Sequence, residues 1–164
     1  MSMETTRINE WPRGMLYAVA MLSALAALIH LWVAPEHFGE WWGYGAFFLV
    51  AASAQLLYAV LLVVRPNRTI LLLGIIGNSA IVLLWLLTRV VGIPLFGPEA
   101  WEVERVGVID VCASASEAAI VVALGGLLLW RLAKERTALI VLLSSGILLL
   151  AAHLPHLLLL LRLL

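Results

Sequence analysis

Two histidines lie in the apolar C-terminal segment LLLLAAHLPHLLLLLRLL, where every neighbouring side chain favours a place away from water. His153 and His156 are three residues apart, so on a helix they share one face. Pro155 between them frees the carbonyl of Ala151 and predicts a kink. A neutral imidazole suits zinc, iron, manganese or copper, and a His-x-x-His pair supplies two such nitrogens from one helix. The pair therefore predicts part of a metal site.

The composition makes lipid the solvent for most of the chain. Of 164 residues, 64% are hydrophobic and only 12% are charged, whereas about a quarter of a soluble domain is charged. The net charge of zero leaves no electrostatic footprint for nucleic acid, which excludes that class of partner. Cys112 is the single cysteine and cannot form an internal disulfide. The sequence predicts an integral protein of the cell membrane, with the lipid bilayer as its main partner.

Five apolar runs are each long enough to cross about 30 Å of hydrocarbon, which takes roughly 20 helical residues. Lipid offers no partners to unpaired backbone groups, so each run is predicted to be a helix. The predicted fold is all-α, a single transmembrane domain formed by a bundle of five helices. The spans are predicted at approximately residues 14–34, 43–64, 69–88, 106–130 and 138–161.

The basic residues predict the orientation, because cytoplasmic loops carry an excess of lysine and arginine. If the five spans alternate in direction, seven basic residues fall on one side, and that side is predicted to be cytoplasmic. The N-terminus is then cytoplasmic and the C-terminus extracytoplasmic. The opposite side is acidic and would raise the local concentration of small cations. The seven basic residues are Arg7, Arg13, Arg65, Arg68, Arg131, Lys134 and Arg136.

The rise of a helix then predicts the depth of the ionisable side chains. At about 1.5 Å per residue, His153 lies roughly 22 Å and His156 roughly 27 Å along the fifth span. His30 lies about 24 Å along the first span, and Asp110 lies about 6 Å into the fourth. All four are therefore predicted in the outer part of the membrane, where they could share one site.

A second polar layer is predicted near the midplane. Glu117 lies about 16 Å into the fourth span, Gln55 about 18 Å into the second and Asn78 about 14 Å up the third. Asp110, Ser114 and Glu117 have the spacing i, i+4, i+7 and form one polar stripe. An ionised carboxylate at the midplane costs about 2.5 to 3.5 kcal/mol, so Glu117 is a candidate functional residue. Gln55, Asn78 and Ser114 are interpreted as polar support, the amides bonding neighbouring helices.

These residues together predict a divalent transition metal (zinc, iron, manganese or copper) near the outer face. The predicted ligands are His30, His153 and His156, with Asp110 or Glu117. Imidazole and carboxylate donors suit such metals without any thiolate. Because the acidic outer side attracts cations, metal binding or translocation is favoured over hydrolysis. The second-rank candidates, in the predicted loop after the first span, are Glu36, His37 and Glu40.

Several alternatives remain open on the sequence, and whether the protein is an enzyme is undecided. A b-type haem redox protein would use His30 with His153 or His156 as axial ligands. A cofactor-free proton or cation path would use Glu117, Asp110 and the histidines, and five spans would then imply a homo-oligomer. A membrane-embedded metal-dependent hydrolase needs no nucleophile motif, because a metal-bound water serves as the nucleophile. A membrane subunit that only contacts other proteins would leave the polar stripe unexplained.

Overall fold

The computed structural model describes the backbone of residues 11–92 and 97–161, and the side chains as far as Ser145. The structure is all-helical, with no strand among the described residues. By length and apolar composition, four helices could cross a membrane, as expected for a membrane protein. The chain divides into two compact units, one up to Leu127 and one from Leu128 onward. The helices are α1 (Arg13–Glu40), α2 (Trp42–Val64), α3 (Arg68–Val90) and α4 (Val108–Leu161).

Turn-forming residues delimit α2 and α3 as expected. Only Arg65, Pro66 and Asn67 separate the two helices. The Asn67 side chain accepts a hydrogen bond of 3.0 Å from the backbone N–H of Ile70, which caps the first turn of α3. Gly92 follows α3 with a φ of +88°, a conformation that glycine adopts without strain.

α1 continues through Pro35 to Glu40, six residues beyond the predicted end of the first span at Ala34. The segment PEHFGE (residues 35–40), predicted to lie in the loop after the first span, is helical. Glu36 and His37 therefore lie on the last turns of α1. His30 therefore lies ten residues before the end of α1, whereas it was predicted four residues before the end of the first span. This difference in distance from the helix end determines which residues of the other helices His30 contacts.

α4 is 54 residues long and contains nearly all of the predicted fourth span and the whole of the predicted fifth span. The stretch RLAKER (residues 131–136), which separates the predicted fourth and fifth spans, is helical. The structure therefore confirms neither a fifth helix nor the sides on which the termini lie. Two contacts between side chains four residues apart stabilise the helix in the second unit. Arg131 pairs with Glu135 one turn later at 2.9 Å, and the Lys134 ammonium lies 5.3 Å from the centre of the Trp130 ring.

Small side chains bring α1 and α2 together in the first unit. Ala26 and Ala27 on α1 and Ala52 on α2 are fully buried, which lets the backbones approach closely. The buried Ser23 hydroxyl donates a 2.9 Å hydrogen bond to the backbone carbonyl of Gln55. The outward-facing side chains of these helices are large and apolar, as hydrocarbon surroundings require. Examples are Met21 and Trp32 on α1 and Val50 and Val60 on α2.

Candidate functional site

The buried centre of the first unit is a hydrogen-bonded cluster of His30, Gln55 and Glu117, one residue from each of three helices. Glu117 is fully buried, and His30 and Gln55 are each only 4% exposed. The Oε1 atom of Glu117 lies 2.9 Å from Nε2 of His30. The same oxygen accepts a 2.9 Å hydrogen bond from Nε2 of Gln55. We call these three residues the buried His–Glu–Gln cluster.

His30 and Glu117 meet because they lie at matching distances from one end of the bundle. His30 is ten residues before the end of α1, and Glu117 is nine residues after the start of α4. At 1.5 Å per residue both are about 14 to 15 Å from those helix ends. The two residues were predicted in separate layers because the first span was predicted to end at Ala34, six residues before the end of α1. The direct contact was therefore not predicted, although both residues were.

Each member of the cluster keeps one buried polar atom without a hydrogen-bond partner among the described residues. These atoms are Nδ1 of His30, Oε1 of Gln55 and Oε2 of Glu117. When the carboxylate is ionised, Nε2 of His30 donates to it and Nδ1 presents a lone pair, so all three atoms are acceptors. A buried unpaired acceptor costs about 1 to 3 kcal/mol. A ligand with positive charge or with N–H or O–H donors would relieve that cost.

Asp110 belongs to a different cluster, at the end of the bundle where α3 ends and α4 begins. Its Oδ2 atom lies 2.7 Å from Nη2 of Arg89, whose Nη1 binds the carboxylate of Glu104. The backbone N–H of Gly107 also donates to Asp110 at 3.0 Å, an arrangement that stabilises the first turn of a helix. Sequence reasoning missed Arg89, although a lone arginine at the end of an apolar helix, before an acidic connector, was the available signal.

The polar support residues are buried, but only one of the two amides bridges helices. Ser114 is buried on α4 between Asp110 and Glu117. Asn78 donates 2.8 Å from Nδ2 to the carbonyl of Gly74 in its own helix, and its Oδ1 has no partner within the described part of the chain. The bridge between helices predicted for both amides is seen for Gln55.

The second-rank candidates lie on the last turns of α1. Nδ1 of His37 is 3.0 Å from the carbonyl oxygen of Val33, and its ring centre lies 4.2 Å from that of Phe48. The side chains of Glu36 and Glu40 are exposed. His153 and His156 lie beyond the side chains that the structure describes, so their place in a metal site stays a prediction.

Among residues with described side chains, no group of three or more His, Cys, Asp or Glu is arranged to hold a metal. His30 and Glu117 supply two donors of these types, and Gln55 adds an amide oxygen beside them. No protein-family model, curated protein or solved structure matches this chain.

Proposed function

We propose that this protein binds or moves a small cation at the buried His–Glu–Gln cluster, with a divalent transition metal as the favoured cation. The observation that carries the proposal is Glu117. It is fully buried and bonded to His30 and Gln55 through one oxygen, while its other oxygen has no partner among the described residues. An ionisable residue inside a membrane is costly and marks a functional site by default. A bound cation would offset the charge and occupy the unpaired acceptors.

The contact with Glu117 suits His30 to the role of a metal ligand. A metal-bound histidine commonly donates its other ring N–H to a carboxylate, which orients the ring and makes it a better ligand. Here Nε2 of His30 faces Glu117, and when it donates to that carboxylate Nδ1 keeps its lone pair. Oε2 of Glu117 and Oε1 of Gln55 would add oxygen donors. Nitrogen and oxygen donors suit zinc, iron, manganese and copper(II).

The proposal keeps the five-span topology in the cell membrane, with the N-terminus cytoplasmic and the C-terminus extracytoplasmic. The 54 residues of α4 far exceed the roughly 20 needed for one crossing. Its charged stretch at residues 131–136 separates two apolar lengths. Residues 108–130 and 138–161 would then cross separately, with His153 and His156 kept as predicted ligands. Glu36 and Glu40 would face the outside, where they attract cations.

Metal analysis and equilibrium titration of gently purified protein test the proposal, with Zn²⁺ and Mn²⁺ as probes. Glu117→Gln keeps the size of the side chain but removes its negative charge, and we expect the affinity to fall by about 10- to 100-fold. Glu102→Gln is the matched control, because Glu102 is exposed in the connector before α4, and its affinity should equal that of the parent protein.

Equal affinity in Glu117→Gln and the parent protein would contradict the proposal, as would a parent protein that binds no metal. The same preparation distinguishes the alternatives. A Soret band in the visible spectrum would replace the metal with a b-type haem. A preparation with neither metal nor colour would favour the cofactor-free path.

A further inference from the structure

Arg89 is held by contacts from three parts of the first unit. Its guanidinium binds Asp110 on α4 and Glu104 in the connector before α4. It also donates to the hydroxyl of Thr88, and it lies 5.6 Å from the centre of the Trp85 ring on α3. Only 12% of the Arg89 side chain is exposed. The arginine thus holds a fixed, largely buried position between α3 and α4.

Asp110 is also the first residue of the polar stripe that leads to Glu117. Asp110, Ser114 and Glu117 share one face of α4. Asp110 is half-buried, whereas Ser114 and Glu117 are buried. The distance along the helix from Asp110 to Glu117 is about 10 Å. Arg89 therefore lies where the stripe reaches the end of the bundle.

We propose that Arg89 controls the access of cations to the buried His–Glu–Gln cluster from the end of the bundle where α3 ends and α4 begins. Its guanidinium forms ion pairs with Glu104 and Asp110. These are the carboxylates that an incoming cation would meet first. The positive charge of Arg89 also offsets part of the attraction that these two carboxylates would exert on that cation, and such interactions are strong where water is largely excluded. The inference rests on the proposed function, but it concerns access and holds for whichever small cation binds.

A cysteine at position 114 reports access directly, because Ser114 lies between Asp110 and Glu117 on the stripe. Ser114→Cys is made together with Cys112→Ser, which removes the exposed natural thiol. The protein is reconstituted in vesicles, and we measure its rate of reaction with a membrane-impermeant thiol reagent that carries a quaternary ammonium group.

We expect Arg89→Gln to raise this rate by at least about tenfold, in line with the effect of charge on the entry of ions into clefts. Arg105→Gln is the matched control. This substitution removes an exposed positive charge from the connector before α4. The rate should stay within about twofold of the parent rate, because Arg105 has no bond to the stripe among the described residues.

A rate in Arg89→Gln equal to that of the parent protein would overturn the inference. If Arg89→Gln does not fold, Arg89→Met takes its place with the same expected increase. The methionine keeps an apolar stem beside the Trp85 ring but removes the positive charge. If Arg89→Gln raises the reaction rate at position 114 but the parent protein binds no cation, the proposed function is refuted and the role of Arg89 as the barrier still holds. Unchanged access in a protein that does bind cations refutes only the role of Arg89.

Discussion

Gln55 and Asn78 are both buried amides, yet their hydrogen bonds join different parts of the molecule. Gln55 on α2 donates to Glu117 on α4, whereas Asn78 donates to the carbonyl of Gly74 one turn earlier in its own helix. The Gly74 carbonyl already lies in the backbone ladder of α3. The amide of Gln55 thus links helices, and that of Asn78 adds little to helix association.

Gln55→Leu should lower the free energy of unfolding by about 1 to 2 kcal/mol, because Glu117 loses an N–H donor in a buried site. Asn78→Leu is the matched control and should lower it less. The measurement is thermal unfolding of both variants in the same detergent. Equal losses in the two variants, or a larger loss in Asn78→Leu, would contradict the assigned roles.

His30 and Glu117 could be predicted as site residues, because ionisable groups are costly in hydrocarbon wherever the helices pack. Their direct contact could not, since it depends on where α1 ends relative to α4. Asp110 shows the same limit. Its level was predictable, but its pairing with Arg89 follows from the packing of α3 against the connector and α4, which the spacing of polar residues does not encode.

At the scale of helices, Gly74 is the residue that allows Tyr58 of α2 to lie against α3. A Cβ atom at position 74 would overlap the Tyr58 hydroxyl and would lie 2.7 Å from Cδ1 of Leu124. At Gly77, one turn further along α3, such a Cβ would have no atom of the described residues within 4 Å. Both glycines lie within the apolar span predicted at residues 69–88, and only packing shows which one is needed.

Gly74→Ala should therefore destabilise the protein by about 1 to 3 kcal/mol, the usual cost of overpacking. Gly77→Ala should leave stability unchanged or raise it by up to about 1 kcal/mol, because alanine favours helix. Unfolding in SDS, monitored by circular dichroism, compares the two alanine variants directly. The reverse order of stabilities would show that the close contact between Tyr58 and Gly74 is wrong.

For the molecule as a whole, helical structure was predictable, because a chain this apolar has few other ways to satisfy its backbone. The number of crossings was harder to predict. RLAKER contains four charged residues but no proline or glycine, so its composition is compatible both with a connector and with the helix seen in α4. Helix formation and membrane crossing are separate questions for this stretch.

Reporters fused to each terminus test the proposed five-span topology in intact cells. A reporter that works only in the cytoplasm should be active at the N-terminus, and a reporter that works only outside should be active at the C-terminus. We expect this because the number of spans is odd and the basic residues face inward. Two cytoplasmic termini would require an even number of crossings and would refute this topology.

X-ray absorption at the zinc edge tests the central claim most directly, because it reports the atoms that surround a metal bound to the intact protein. For the Zn²⁺-loaded parent protein we predict a shell of nitrogen and oxygen atoms at about 2.0 to 2.2 Å. In His30→Ala the imidazole contribution should fall, whereas in His37→Ala it should not. A sulfur shell at about 2.3 Å would indicate Cys112 instead. That result, or a spectrum unchanged in His30→Ala, would contradict a cation site at the buried His–Glu–Gln cluster.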